Sequence, residues 1–154
     1  MSVMNKTLTV FGCAILLLAA GCFFGDRVAP PRTISLNFPA PTGQGKVSLS
    51  VKDTQVQEAM RVIDTVLTAD GLTRDPNPPT ANDPGFIASY ARYNGTGPRP
   101  VGNPDVYLKD DRLEVVFTEF WNRSGHLSAA TKKSCDSLRK ELSNRYGAER
   151  VKVE

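Results

Sequence analysis

Apolar residues recur along this chain at two spacings, one typical of strands and one typical of helices. Apolar and polar residues alternate at residues 33–38 and again at 46–51, with a segment rich in Pro and Gly between them. A period of two gives a strand one face that can be buried. We therefore predict two strands, whose buried faces carry Ile34, Leu36 and Phe38, and Val47, Leu49 and Val51.

Two longer segments carry the helical spacing. After Asp53, which can cap a helix N-terminus, apolar residues follow at helical intervals up to Leu67, and Gly71 can end the helix. Ser128 can cap a second helix that Gly147 ends, before a short last strand with Val151 and Val153. The stripe expected to face the core of this second helix is Thr131, Cys135, Leu138, Leu142 and Tyr146.

The middle of the chain alternates between long loops and strands. Residues 75–85 contain four prolines, and residues 94–104 contain three prolines and three glycines, so both are predicted loops around a strand at 86–93. Residues 106–108 and 113–121 flank a polar turn and predict a β-hairpin. In its second strand, Leu113, Val115 and Phe117 share one face, and Val116 and Phe120 share the other. All eleven prolines are expected outside these regular elements.

These elements predict an α+β fold with a two-layer architecture. Two β-α-β units follow one another, which is typical of a ferredoxin-like (split β-α-β) sandwich, here with an extra N-terminal strand. The sheet is expected to be mostly antiparallel and covered on one face by the two helices. Residues 33–154 would form this single domain.

The N-terminus has the pattern of an export signal. Lys6 precedes residues 8–18, which carry no charge, and this apolar run is shorter than the roughly 20 residues that a membrane-spanning helix needs. If the run extends through Cys22, Phe23 and Phe24, an uncleaved membrane anchor is the alternative.

The residues Ala19-Ala20-Gly21-Cys22 resemble the lipobox of bacterial lipoproteins, with Leu18 one position before the usual leucine. The resemblance covers residues 1–22 only. It implies a signal peptide at 1–21 and a lipidated Cys22 at the start of a tether over residues 22–32, with two or more acyl chains for stable membrane anchoring. Because Phe23 is not Asp, the family's sorting rule implies the outer membrane, with the domain facing the periplasm.

Charge and cysteine content limit the possible functions. Without residues 1–21 the chain has 18 Lys and Arg against 16 Asp and Glu, so its charge does not suggest nucleic-acid binding. Cys13 would leave with the signal peptide and Cys22 would carry lipid, which leaves Cys135 without a disulfide partner. Cys135 is expected to be a buried, small hydrophobic residue rather than a reactive thiol.

The sequence offers no clear set of catalytic, metal-binding or cofactor-binding residues. His126 is the single histidine, and Glu114 and Glu119 have opposite parity in their strand, so a paired carboxylate site is not expected. Basic residues outnumber acidic ones toward the C-terminus. The second helix could therefore lie against anionic lipid headgroups or another polyanion, or simply present a solvated face.

The candidate binding surface is the sheet face that the helices leave open, represented by Val116 and Phe120. We expect a non-enzymatic lipoprotein whose domain binds an unknown envelope protein or cell-wall component. The alternative is a small periplasmic hydrolase with a site built from the two long loops, where Asp75, Asn77, Asn82, Asp83 and Arg99 are the polar candidates. A purely structural spacer is a third possibility, which an exposed apolar sheet surface would argue against.

Overall fold

The computed structural model describes residues 29–39, 48–92, 102–119 and 124–154. Within these ranges the chain forms a six-stranded sheet and two α-helices on one side of it. In chain order the elements are β1 (Arg32–Asn37), α1 (Thr54–Ala69), β2 (Thr73–Arg74), β3 (Phe86–Ala91), β4 (Asn103–Lys109), β5 (Arg112–Thr118), α2 (Ala129–Tyr146), a 3₁₀ turn (Ala148–Arg150) and β6 (Val151–Val153).

The sheet has the order β2-β3-β4-β5-β1-β6, and all its pairings are antiparallel. The α+β class and the two-layer arrangement are thus confirmed. The strands β6-β1-β5-β4, with α1 after β1 and α2 after β5, follow the split β-α-β order, and β3 and β2 extend the sheet beyond β4.

The second predicted strand is not a strand in its described part. Residues 48–51 have no regular structure, and residues 40–47 lie outside the described ranges. Leu49 donates one backbone hydrogen bond to Asp110 O in the β4–β5 turn, at 2.9 Å, but no ladder forms. The strands beyond the split β-α-β set are β2 and β3, which lie between α1 and β4 in the chain. β3 pairs with β4, and β2 pairs with β3.

Strand parity determines which residues form the core. Ala88, Val106, Val115, Ile34 and Val153 lie side by side across five strands and face the helices. The helices contribute apolar residues to the same core, namely Val56, Ala59, Val62, Ile63 and Leu67 from α1, and Cys135, Leu138 and Leu142 from α2. As predicted for β5, Leu113, Val115 and Phe117 are buried on this side.

The helix ends agree with the sequence except for one cap. Ser128 Oγ accepts a hydrogen bond from Thr131 N at the start of α2, and Gly71 and Gly147 have φ angles of 81° and 95°. Asp53 precedes α1, but its carboxylate accepts from Ser50 N at 2.7 Å instead of capping the helix. A second difference is Pro104, which lies near the start of β4 although all prolines were expected outside regular elements.

The two helices run antiparallel. Arg145, near the end of α2, forms an ion pair with Glu58, near the start of α1 (2.7 Å). At the other end, the Arg92 guanidinium donates to Asp70 O and Ser134 Oγ, both at 2.9 Å. The Tyr90 hydroxyl also donates to Asp64 on α1, which joins the sheet to that helix.

Candidate functional site on the helix-free face of the sheet

The sheet has a second face, which points away from the helices and which we call the helix-free face. Its central row consists of Ser89 on β3, Asp105 on β4, Val116 on β5 and Thr33 on β1, side by side in the strand register. Val116, one of the two residues of the predicted binding surface, is half-buried between polar neighbours. Phe120, the other one, lies outside the described residues, as does the predicted lipid attachment site Cys22.

The central row of this face is mostly polar. In the described part of the chain, the one exposed large hydrophobic residue is Val51, which precedes α1 and belongs to neither face of the sheet. The expected patch of exposed apolar residues is not seen here, because Val116 is half-buried and so is Phe86, which packs on Tyr107 toward the 75–85 loop. That Val116 and Phe120 bind a partner stays a prediction. The ionisable and hydrogen-bonding groups of the central row belong to the polar neighbours of Val116.

Asp105 is the most unusual of these neighbours, because it is a carboxylate that is only 6 % exposed. Its Oδ1 atom has no hydrogen-bonding partner in the described residues, and neither has the hydroxyl of Ser89 or that of Thr80. Each unpaired buried polar atom costs about 1–3 kcal/mol, and native proteins contain few of them. Asp70 Oδ2, Asn103 Oδ1 and the Tyr146 hydroxyl are also unpaired in the described residues, whereas Ser89 and Thr80 lie close to Asp105 and form a polar cluster with it.

The electrostatics of this polar cluster raise the pKa of Asp105. Burial, the largest cause, raises the pKa of the Asp105 carboxyl above its ordinary value of 3.8, and the negative charges of Asp83 and Asp75 raise it further. The hydroxyls of Ser89 and Thr80 oppose this and lower the pKa, although neither satisfies the geometry of a hydrogen bond. The net direction is upward, which makes Asp105 a better hydrogen-bond donor than an ordinary aspartate.

The loop of residues 75–85 brings Thr80, Asp83 and Asp75 to Asp105. Asp75 starts the loop with an Asx turn, in which its Oδ1 accepts from Asn77 N at 2.9 Å. Gly85 ends it at a φ of 75°, where Leu108 N donates to Gly85 O at 2.7 Å. A Cβ at position 85 would lie 2.3 Å from Leu108 O, so glycine lets the loop approach β4 closely.

Tyr107 ties the end of this loop to the helix-free face. Its hydroxyl donates to Asp83 Oδ2 at 3.3 Å, and its ring packs edge to face on Phe86 with the centroids 6.0 Å apart. Burial and the nearby carboxylates of Asp105 and Asp83 raise the pKa of Tyr107 to about 12, so it is a neutral donor at physiological pH.

A cleft of about 410 Å³ lies between the loop and β3. Prolines 76 and 78 and the Phe86 side chain line it together with three polar residues, Arg74, Asp75 and Ser89. Apolar walls with a few polar groups are typical of small ligand sites. Ser89 belongs both to the lining of the cleft and to the polar cluster. The cluster therefore adjoins a space that a ligand group can enter.

The residues predicted for a loop-built site meet this geometry only in part. Asp75 and Asp83 act on Asp105, whereas Asn77 and Asn82 are exposed and Arg99 lies outside the described residues. Sequence reasoning missed Asp105, Ser89 and Thr80. Strand alternation places Asp105 and Ser89 on the outward face, and no local signal shows that this part of the face is buried.

Glu114 in β5 and Glu119, directly after β5, have separate structural roles. Glu114 lies on the helix-free face and pairs with Arg112 (2.7 Å), whereas Glu119 is 1 % exposed on the opposite side. The Glu119 carboxylate accepts from Ser128 N at 2.8 Å and from the hydroxyls of Ser128 and Thr131, at the N-terminus of α2. It therefore stabilises the start of that helix, and the two carboxylates do not form a pair.

The remaining reactive residue types give no second site in the described ranges. Cys135 is fully buried, and this burial raises the pKa of its thiol. His126 is exposed and its backbone exchanges hydrogen bonds with the Ser124 hydroxyl. Among the described residues no group of three or more His, Cys, Asp or Glu side chains is arranged to hold a metal ion.

A second concave surface lies between α1 and α2 on the outside of the helix layer. This groove has a volume of about 640 Å³, an apolar floor with Val62, Val66 and Ala69, and charged walls with Glu58 and Arg145. The ion pair between these two side chains spans the groove. Arg61, Lys140 and Glu141 also line the groove and form no ion pair in the described residues.

No family model, curated protein or solved structure matches this chain. In the residues that the structure describes, no helix has the length and apolarity needed to cross a bilayer. The function is therefore inferred from the N-terminal sequence and the helix-free face alone.

Proposed function

We propose that this protein is a bacterial outer-membrane lipoprotein whose periplasmic domain is a non-enzymatic binding module. The lipobox-like residues at positions 19–22 support a lipid anchor on Cys22. The observation that carries the binding role is the polar cluster of Asp105, Ser89 and Thr80, unpaired and buried beside a loop-lined cleft. The ligand is an envelope protein or a cell-wall component, and the site needs no cofactor.

Intact-mass analysis of the membrane-extracted protein tests the anchor. The wild-type mass should correspond to a chain that starts at Cys22 and carries two or three acyl chains, and Cys22→Ser should lose both the cleavage and the lipid. An unprocessed wild-type chain would contradict the lipoprotein assignment and favour an uncleaved N-terminal anchor.

Photocrosslinking in cells tests the binding face. A photoreactive amino acid at Val116 or Asp83 should give an adduct of one defined mass, while the same group at Lys52, an exposed residue before α1, should not. Adding Asp105→Asn to the Val116 reporter should weaken the adduct, because it replaces the carboxyl of the polar cluster. Equal labelling from all three positions would contradict a binding site on this face.

A small periplasmic hydrolase is the second candidate function, and the raised pKa of Asp105 favours it. A buried carboxyl with a raised pKa is a candidate general acid, and Asp75 and Asp83 are nearby. Incubation of the purified protein with cell-wall sacculi separates the two functions. Release of soluble fragments by the wild type but not by Asp105→Asn would support the hydrolase, and binding without release would support the module.

A further inference from the structure

The first described segment, residues 29–39, starts close to α2. Ala29, the first described residue, is 3 % exposed within the core, and Arg32 at the start of β1 forms an ion pair with Asp136 in the middle of α2 (3.7 Å). Only six residues, 23–28, separate Ala29 from the lipidated cysteine of the proposed function. The seven Cα-to-Cα steps from Cys22 to Ala29 span at most about 25 Å, so the surface around Arg32 and Asp136 must stay close to the bilayer.

This surface is basic. Helix α2 contains five basic side chains and two acidic ones, and Lys132, Lys133, Arg139 and Lys140 are all exposed. Lys132, Asp136 and Arg139 follow one another at helical spacing, so they share the side of α2 where Arg32 lies. In the described residues, none of these four α2 cations forms an ion pair, whereas Arg145, on the side toward α1, pairs with Glu58.

The opposite side of the domain is less suited to an anionic surface. Asp75, Asp83 and Asp105 lie together there, and the charges of Asp83 and Asp75 add to burial in raising the pKa of Asp105. A negatively charged bilayer would add to this repulsion, whereas it would attract the α2 cations. Charge thus favours an orientation with α2 toward the lipid.

We infer that the exposed basic face of α2 docks on the anionic phospholipid headgroups of the membrane that holds the tether. This inference rests on the proposed lipid anchor, because the tether supplies the proximity. Docking through α2 orients the helix layer toward the bilayer and leaves the helix-free face, with its cleft, directed into the periplasm. The ligand site would then be accessible to envelope partners.

Lysine footprinting on reconstituted protein tests the docking. The full-length protein, as processed by the cell, is placed in vesicles of phosphatidylcholine alone or with one third phosphatidylglycerol. An amine-acylating reagent then labels it, and mass spectrometry quantifies each lysine. Labelling of Lys132, Lys133 and Lys140 should slow severalfold on the anionic vesicles only. Lys52, Lys109 and Lys152 are exposed elsewhere and serve as internal controls.

Charge reversal provides a matched test with purified protein added to the same vesicles. The double variant Lys132→Glu with Arg139→Glu should weaken sedimentation with anionic vesicles by more than about fivefold, since each basic residue near such a surface contributes about that factor. Lys109→Glu with Lys152→Glu makes the same change in net charge on other surfaces and should have a much smaller effect. High salt should abolish the difference by screening.

The outcomes separate the two hypotheses. Equal labelling of all six lysines, or equal loss of binding in both variant pairs, would overturn docking through α2 even when Cys22 carries lipid. Protection on both vesicle types would overturn the role of anionic headgroups. The mass of the peptide that contains Cys22, read in the same digest, decides the anchor independently of the lysine pattern.

Discussion

The Asp105 side chain is buried, and its Oδ1 atom has no hydrogen-bonding partner in the described residues. The stability of the fold should therefore depend on whether this carboxyl carries a proton. Its neighbours Ser89 and Thr80 also lack partners in the described residues, so the three groups can reorganise around an added donor or acceptor. Such a cluster lowers stability in the free protein and becomes favourable only when its polar atoms are paired. A ligand that forms hydrogen bonds with these groups would therefore stabilise the protein when it binds.

The pH dependence of stability should reveal the raised pKa of Asp105. Because the folded state binds this proton more tightly than the unfolded chain, the contribution of Asp105 to stability should fall as the pH rises above about 4. Relative to Asp105→Asn, the loss should be up to about 1.4 kcal/mol per pH unit until the folded-state pKa is passed. Chemical denaturation of both proteins between pH 4 and 8 measures it.

Glu114→Gln is the control for this series, because Glu114 shares the helix-free face but pairs with Arg112 at the surface. A wild-type curve that rises with pH relative to Asp105→Asn would show that folding lowers the pKa of Asp105, contrary to our expectation.

At the scale of elements, the start of α2 depends on a residue from the end of β5. Glu119 accepts hydrogen bonds from the Ser128 backbone N–H and from two hydroxyls of that first turn. The contact couples the helix to the sheet, since the strand positions the acceptor that the helix N-terminus needs.

Glu119→Ala should therefore be strongly destabilising. It leaves buried donors without an acceptor and removes a negative charge from a helix N-terminus, so we expect a loss of about 3 kcal/mol in the free energy of unfolding. Glu114→Ala, in the same strand, removes only a partly exposed ion pair and should cost less than about 1 kcal/mol. Similar losses in both variants, measured by urea unfolding, would contradict the capping role of Glu119.

At the scale of the whole molecule, stability rests on one core shared by the sheet and both helices. Cys135 lies in that core, between α2 and the sheet, and its thiol has a raised pKa because of burial. In the proposed mature protein no second free cysteine would be left to pair with it.

A reducing agent should consequently leave the thermal unfolding temperature of the membrane-extracted protein unchanged. The Cys135→Ala variant, scanned with and without the same reagent, is the control for any direct effect of the reductant. A wild-type midpoint that falls on reduction would indicate a disulfide, and would mean that Cys22 does not carry lipid.

The predicted elements were most accurate where the pattern is local. The parity of Leu113, Val115 and Phe117, the cap at Ser128 and the helix ends at Gly71 and Gly147 all agree with the structure. Alternation also predicted a strand at residues 46–51, yet residues 48–51 form none, because no neighbouring strand pairs with them. Strand formation requires such a partner as well as a pattern.

The sequence alone suffices for the α+β class, the buried face of β5 and the lipobox-like pattern at residues 19–22, since these depend on residues close together along the chain. The strand order, the burial of Asp105 and its approach to Ser89 and Thr80 become visible only in the folded chain. Those features arise where the 75–85 loop crosses β3 and β4, and contacts between distant segments leave no periodic signal in the sequence.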